Sequence, residues 1–188
     1  MKQALLIIDV QNDYFPGGRS ELFQPLAALE NIEKLLRHFR DHTLPVIHVQ
    51  HVNTLEGAAF FLPDTEGVLV HKNLTPRQNE SLVVKHQPSS FFETNLLEII
   101  KSDSITGLVI CGMMSHMCVD TTTRACKDYG VNVILIDDAC ATKTLAWRGK
   151  SIPADTVHDV FMASLNGIFA KVMGADEFLA SEHRGQSI

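Results

Sequence analysis

The sequence predicts an α/β fold, with three α/β/α layers built around a central, mostly parallel sheet. Short, continuously apolar runs alternate along the chain with longer amphipathic runs. The apolar runs show little internal alternation of polar residues, which is typical of strands buried on both faces of a parallel sheet. No repeat or linker interrupts the pattern, so we expect a single domain over residues 1–188.

Each predicted element follows from its own local pattern. The apolar runs predict strands over 4–8, 45–52, 81–85, 105–111 and 131–136, and helical spacing predicts helices over 26–40, 93–101, 115–129 and 154–172. Gly130 suits the position after a helix, and Pro153 suits a first helical turn. Residues 53–80 are polar, without clear periodicity, and long for a connection. Long connections in compact domains are often functional.

Composition and charge exclude several classes of partner. The 188 residues are 45% hydrophobic and 20% charged, with a formal net charge of −6. A negatively charged chain lacks the basic face that nucleic acids and anionic membranes require, so we expect a small-molecule substrate instead. The apolar run after the N-terminus is too short for a signal peptide, and no run approaches the ~20 residues that span a bilayer. We therefore expect a cytoplasmic protein.

The chain has four cysteines with no CxxC pair and no zinc-type spacing, namely Cys111, Cys118, Cys126 and Cys140. In a cytoplasmic chain they are expected to be reduced thiols. Cys118 stands out because Gly112 allows a sharp turn after a strand, and Ser115 can cap the helix that follows. In the first helical turn, unpaired N–H groups lower a thiol pKa. The other three are expected to be small buried side chains.

Three reactive side chains lie at or just beyond the ends of predicted strands. Asp9 follows 4–8, Lys85 ends 81–85, and Cys118 comes six residues after Gly112. The carboxyl ends of parallel strands meet at one edge of a sheet, where ligands usually bind, so these side chains can converge. A polar residue at the end of a strand can also simply begin a loop. Asp137 and Asp138 end a strand as well and compete with Asp9 for the acidic role.

The segments that carry these residues resemble the isochorismatase-like cysteine hydrolase superfamily. They are LLIIDVQNDY at 5–14, VVKHQPSSFFETNL at 83–96 and CGMMSHMCVDTTTRAC at 111–126, with further matches in LIDDACAT at 135–142 and in the helix from Pro153. The resemblance thus covers nearly the whole chain. It places the superfamily's Asp–Lys–Cys triad on Asp9, Lys85 and Cys118, with none substituted.

The resemblance also implies a mechanism. Asp9 accepts the proton of Cys118, while Lys85 holds the carboxylate and favours the thiolate. The thiolate attacks an amide carbonyl, the backbone N–H groups of Met114 and Cys118 receive the oxyanion, and water hydrolyses the thioester. A cis peptide bond is implied between Met113 and Met114.

Three functions stay open at this stage. An amidohydrolase that cleaves a C–N bond is the leading hypothesis. Isochorismatase activity, which cleaves a vinyl ether, does not need a thiol nucleophile. A non-catalytic binding domain on the same fold would be favoured by loss of a triad member, and none is lost. Members of the superfamily are commonly homo-oligomers, so the resemblance implies self-association.

The histidines do not form a pattern that predicts a metal site. His48 and His51 differ by three positions, so on a strand they point to opposite faces and cannot share an ion. The Asp-x-His sequence of metal-binding, nicotinamidase-like relatives is not present in this stretch, although His71 and His86 could approach one another. We therefore expect no metal and no cofactor.

Four residues near the predicted edge are candidates for contacting the substrate. Tyr14, Phe15 and Phe91 are aromatic residues close in sequence to Asp9 or Lys85, and His116 lies between Ser115 and the nucleophile. Core packing is the alternative role for each aromatic residue, and a solvated first-turn position is the alternative for His116.

Overall fold

A computed structural model describes residues 2–185 of the chain. Six parallel strands form one sheet in the order β3-β2-β1-β4-β5-β8. The strands are β1 (Gln3–Ile8), β2 (Val46–His51), β3 (Ser81–Lys85), β4 (Gly107–Met113), β5 (Asn132–Ala141) and β8 (Lys171–Met173). A separate antiparallel hairpin pairs β6 (Leu145–Trp147) with β7 (Lys150–Ile152).

Helices pack on both faces of the sheet. They are α1 (Pro25–Asp41), α2 (Leu96–Ser102), α3 (Asp120–Asp128), α4 (Ala154–Leu165) and α5 (Ala175–Gly185). Alternate residues of β1 feed two separate cores: Leu5 and Ile7 pack with residues of α1 and α5, whereas Leu6 and Ile8 pack with residues of α2, α3 and α4. The prediction of a three-layer fold with a parallel sheet is confirmed.

The direction of the chain across the sheet reverses beside β1. From β1 the chain proceeds outward through β2 to β3, and then returns to β4 on the other side of β1 before continuing to β5 and β8. In open parallel sheets, ligands bind outside the carboxyl ends of the strands at such a reversal. Asp9 follows β1 at this position.

The last predicted helix was too long. The helix over 154–172 ends at Leu165, and residues 171–173 instead form β8, which pairs with β5. Gly167 has a φ of +81°, a conformation outside the right-handed helix that glycine adopts without steric cost. The apolar residues beyond it therefore belong to a short edge strand, and α5 follows as an element that the sequence pattern did not predict.

Strand β5 is longer than the predicted run over 131–136. It continues to Ala141 through a register shift opposite β4. Asp137 and Asp138 thus lie within the strand and not after it, and Asp138 Oδ1 accepts a hydrogen bond of 2.9 Å from the backbone N–H of Ala175 at the start of α5. The predicted competition with Asp9 is therefore wrong for Asp138, because its carboxylate is used to begin a helix.

Other boundaries differ less. Strand β4 runs two residues further than predicted, α2 begins at Leu96 and not at 93, and the β6–β7 hairpin follows β5 where no element was expected. Within residues 2–185, no helix combines the length and apolar character that a bilayer crossing requires.

Candidate active site

Asp9, Lys85 and Cys118 meet at the carboxyl edge of the sheet. Lys85 Nζ lies 2.8 Å from Asp9 Oδ2 and 3.1 Å from Cys118 Sγ. The three side chains are buried, with exposed fractions of 0%, 0% and 4%. The structure thus brings together the three residues that the sequence singled out, and an ammonium group joins the carboxylate to the thiol.

Lys85 is charged at neutral pH. Burial alone lowers its pKa, but the negative charges of Asp9 and Cys118 outweigh that effect and raise the pKa above its ordinary value. Apart from Lys85 and the Cys118 thiol, no group among residues 2–185 hydrogen-bonds an oxygen of Asp9. One carboxylate oxygen therefore remains available to a proton.

The backbone before Cys118 is shaped by a close approach of two strands. Gly112 has a φ of +127°, and a Cβ atom there would collide with the carbonyl oxygen of Ile8 in β1. Glycine is thus required at this position on two grounds. The peptide bond between Met113 and Met114 is cis, as the resemblance implied.

The helix begins differently from the sequence prediction. Residues 115–119 form a π-helical turn ahead of α3, with Met114 as the cap residue. The hydroxyl of Ser115 does not cap the helix: it hydrogen-bonds the carbonyl of Ala141 and Nδ1 of His158. The prediction that Ser115 caps is therefore wrong, because its side chain is used to hold β5 and α4 against the turn.

The thiol pKa is also opposite to the expectation from helix position. Burial, and then the charge of Asp9, raise the pKa of Cys118 above its ordinary value, while Lys85 acts in the other direction. The site holds one cation and two groups that can be anions, so a second negative charge is costly in a buried place. Burial and the Asp9 charge therefore favour the neutral thiol of Cys118.

His51 is a member of this cluster that the sequence analysis considered only as a metal ligand, and it rejected that role. Its Nδ1 lies 3.0 Å from Lys85 Nζ, 3.9 Å from Asp9 Oδ2 and 4.0 Å from Cys118 Sγ. Burial, and then the charge of Lys85, lower the pKa of His51 to about 4. The imidazole is therefore neutral at physiological pH. His48 points the other way, as predicted, and hydrogen-bonds Glu80 at 3.0 Å.

Comparison with known proteins supports the same reading of the chain. Residues 3–177 match the sequence profile of the Isochorismatase domain. The chain belongs to the isochorismatase family. The uncharacterized isochorismatase family protein YddQ of Bacillus subtilis (strain 168) is 48% identical over 179 residues, which cover 95% of this chain and 99% of YddQ.

Two further proteins are similar to this chain over most of its length. The crystal structure of an isochorismatase-family hydrolase from Oleispira antarctica has a TM-score of 0.91 and 43% sequence identity, covering 95% of this chain and 96% of that one. Streptothricin hydrolase from Streptomyces noursei is 32% identical over 140 residues, which cover 74% of this chain and 50% of that protein. The chain is therefore an isochorismatase-family hydrolase.

In this isochorismatase-family hydrolase, the segment after β2 is tied to the site by the residues that follow Asp9. The Gln11 side chain donates to the carbonyls of His51 and Val68 at 2.9 and 2.7 Å, and it accepts from the N–H of His51 at 2.8 Å. Asp13 Oδ2 accepts a hydrogen bond of 2.7 Å from the N–H of Phe61. The long polar connection over 53–80 is thus anchored against the triad edge and is not a free loop.

Tyr14 is a predicted substrate contact on which the charges of triad residues act. Its ring is 2% exposed and packs on Phe61 with centroids 4.5 Å apart. Burial, and then the charges of Cys118 and Asp9, raise the pKa of Tyr14 well above its ordinary value. Phe61 also lies 6.0 Å from the ring of His51, so these three rings form one aromatic wall beside the nucleophile.

The other three residues predicted to contact the substrate, Phe15, Phe91 and His116, interact with residues outside the triad. Phe15 packs on His71 at 4.4 Å, and Phe91, on the opposite face of the sheet, packs on Tyr129 at 4.8 Å. His116 Nδ1 hydrogen-bonds the hydroxyl of Thr142.

Asp9, His51 and Cys118 also have ligand atoms close enough for a metal ion, with all three within 4.8 Å of one another. Lys85 Nζ is in contact with each of those atoms. An ion bound there would lie beside a buried ammonium group, and the like charges would repel strongly. The spacing of the three ligand atoms therefore suits a metal ion, but the positive charge of Lys85 disfavours one.

A groove of about 700 Å³ opens at the opposite edge of the sheet. Its lining includes Gly107, Asn132 and Lys171, each of which begins a strand. Because the triad lies beyond the other ends of the strands, this groove has no part in the site described above.

Proposed function

We propose that the chain hydrolyses a C–N bond of a small amide through a thioester on Cys118. The observation that supports this most directly is the position of the Lys85 ammonium group, 2.8 Å from the Asp9 carboxylate and 3.1 Å from the Cys118 sulfur. Covalent acyl transfer requires a nucleophile with a proton acceptor beside it, and the ammonium group here contacts both.

The proposed first half-reaction forms the thioester. The Cys118 proton moves to Asp9 as the sulfur attacks the carbonyl carbon, so the net charge of the buried group stays constant. The backbone N–H groups of Met114 and Cys118 stabilise the oxyanion. The C–N bond then breaks, and the amine leaves with the proton that Asp9 holds.

The proposed second half-reaction restores the enzyme. Water adds to the thioester carbonyl and gives its proton to Asp9, the C–S bond breaks, and the acid leaves. The proton returns to the Cys118 sulfur, so that each turnover consumes one water and one amide. Tyr14 and Phe61 form the wall against which the acyl group would lie, and the burial of Cys118 favours a small acyl group.

The relative streptothricin hydrolase supports hydrolysis as the reaction type, since it shares 32% identity over 74% of this chain. Isochorismatase activity is the second candidate, and the match of residues 3–177 to the Isochorismatase domain favours it. Cleavage of a vinyl ether does not use a thiol nucleophile, so the two candidates differ in their need for Cys118.

A substrate panel with matched variants separates the candidates. Small aliphatic and aromatic amides, carbamoyl compounds and isochorismate are offered to the wild type, to Cys118→Ala and to Cys140→Ala, whose thiol is also buried. We expect turnover of an amide that is lost in Cys118→Ala and kept in Cys140→Ala. Intact-protein mass spectrometry after rapid quench should show the wild-type mass increased by one acyl group.

Two results would overturn the proposal. Equal amide turnover by Cys118→Ala removes the thiol from the mechanism. Turnover of isochorismate alone, with no acyl adduct, assigns the second candidate. The homo-oligomer that the resemblance implies stays a prediction, and light scattering of the purified protein measures it.

A further inference from the structure

The Lys85 ammonium group has more hydrogen-bond acceptors than protons. Four acceptor atoms lie within hydrogen-bond distance of Nζ: Asp9 Oδ2 at 2.8 Å, His51 Nδ1 at 3.0 Å, and the Gln87 carbonyl oxygen and Cys118 Sγ at 3.1 Å. An ammonium group carries three N–H bonds and accepts none. At any moment one of the four acceptors must therefore lack a proton from Lys85.

These acceptors are of two kinds. The carbonyl of Gln87 and the imidazole of His51 are neutral and take no part in covalent chemistry. Asp9 and Cys118 exchange a proton in the proposed reaction, so the negative charge moves from the carboxylate to the sulfur. Two of the three N–H bonds of Lys85 donate to these neutral acceptors. The third can therefore donate to whichever of Asp9 and Cys118 carries the negative charge.

We propose that His51 is a positioning residue, which fixes the Lys85 ammonium group so that one N–H bond can pass from Asp9 to the Cys118 sulfur. This inference rests on the proposed function, because it deepens the proton transfer between Asp9 and Cys118. In the resting site the third N–H donates to Asp9, and after the proton transfer it donates to the thiolate. Without the His51 acceptor, the ammonium group would have one fixed contact and could rotate away from the sulfur.

The surroundings of His51 are built to hold such an acceptor. Its backbone N–H and carbonyl are both hydrogen-bonded to the Gln11 side chain, at 2.8 and 2.9 Å. The register of the sheet places His51 directly opposite Lys85 on the neighbouring strand. Because Lys85 can only donate, Nδ1 must be the unprotonated nitrogen, and the proton of the neutral ring is on Nε2.

The charged groups that face His51 act on it in opposite directions. Lys85 and His86 disfavour a second positive charge on the ring, whereas Asp9 favours it, and burial is the largest influence. The net result is a ring with a pKa of about 4, which remains an acceptor at Nδ1 throughout the neutral range. The interaction with Lys85 therefore persists at the pH of catalysis.

Nitrogen-15 NMR of the imidazole groups tests the geometry without any substrate. His51→Asn identifies the His51 signals by their loss. We expect unprotonated Nδ1 and protonated Nε2 between pH 5 and 8, with protonation of the ring only near pH 4. A protonated Nδ1, or a midpoint near the ordinary histidine value, would overturn the assignment. This measurement stands even if the substrate panel shows that the chain is not an amidase.

Two substitutions separate positioning from folding and from substrate binding. His51→Leu removes the acceptor, whereas His51→Asn keeps an oxygen near the position of Nδ1. For the amide found with the panel, we expect His51→Leu to lower kcat by about tenfold or more, since the charged ammonium group loses a hydrogen bond that fixes its position. KM should stay within about twofold, and His51→Asn should recover most of kcat. His42→Gln, which alters an exposed imidazole at the end of α1 away from the site, is the matched control.

The rate of Cys118 alkylation against pH gives the same test without turnover. In His51→Leu the midpoint should shift to higher pH, since the thiolate loses a fixed donor, and His51→Asn should shift it back. A rise in KM with unchanged kcat would assign His51 to substrate binding and overturn the proposal. So would a folded His51→Asn variant with no recovery in either measurement, or wild-type activity that is lost on chelation and restored by Zn²⁺.

Discussion

Replacing Asp9 with asparagine should make Cys118 more acidic and yet abolish turnover. The ligand atoms of Asp9 and Cys118 lie within 4.8 Å of one another. At an effective dielectric constant of about 20, two unit charges at that separation interact by about 3 kcal/mol. Removing the carboxylate charge while Lys85 remains should lower the midpoint of the pH–reactivity curve by about two pH units.

Iodoacetamide alkylation of Cys118, followed by mass spectrometry of its peptide, measures that midpoint over a pH range that extends well above the ordinary cysteine value, since the wild-type pKa is raised. Amide turnover of the same variant should fall to the level of Cys118→Ala, because no group remains to accept the thiol proton. Asp138→Asn, which removes a carboxylate at the start of α5, is the control and should leave both measurements unchanged. A midpoint in Asp9→Asn that rises or stays fixed would refute the electrostatic account of the site.

Three further substitutions test the surrounding structure. Gly112→Ala should destabilise the protein by about 3 kcal/mol or more in urea unfolding, since a Cβ there combines a positive φ with a collision against β1. Gly130→Ala is the control: its φ is +70° but its Cβ would meet open space, so it should lower the free energy of unfolding by only about 1 kcal/mol. Glu80→Gln should lower the free energy of unfolding by about 2 kcal/mol at pH 7. Although burial raises the pKa of Glu80, the hydrogen bond from Arg40 and its other partners lower it from 4.5 to about 2. The stability that Glu80 contributes is therefore complete above that ordinary value and is lost as pH falls toward 2, where the variant and the wild type should converge. Lys85→Met should lower the free energy of unfolding by about 3–5 kcal/mol, because it leaves the charge of Asp9 buried without a partner. Adding Asp9→Asn should recover part of that loss, and purely additive effects of the two substitutions would contradict the pairing.

The three triad positions could be predicted from the sequence because each depends on a local pattern. An apolar run ends at Asp9, another at Lys85, and a third is followed by Gly112 and then Cys118. The parallel arrangement of buried strands brings such ends to one edge whatever the exact register. The family resemblance then selected these residues over Asp137 and Asp138.

His51 was missed because its role depends on register between strands. The alternation along β2 correctly separated His51 from His48, but it gave no information on which residue lies across from His51 on the next strand. In the structure that neighbour is Lys85. The signal available in the sequence was that both residues lie at or next to the ends of predicted strands, which in a parallel sheet places them near one another.

The thiol pKa could not be predicted from helix position alone. The sequence indicated a helix start near Cys118, and a helix start does favour a thiolate. The depth of burial and the charge of Asp9 act in the other direction and are larger. Both are properties of the assembled site, which no local pattern around Cys118 records.

The four cysteines provide an internal reference for chemical reactivity. All are unpaired and buried, and the exposed fraction of Cys140, 7%, exceeds the 4% of Cys118. Solvent access alone would thus place Cys118 no higher than second in any ranking of modification rates. If a single reagent nevertheless modifies Cys118 first in the native protein, the preference measures the combined effect of Asp9 as proton acceptor and Lys85 as cation, because burial and the Asp9 charge by themselves disfavour the thiolate. The other three thiols of the folded chain are therefore internal references, and the reactivity of Cys118 relative to them can be measured without a substrate.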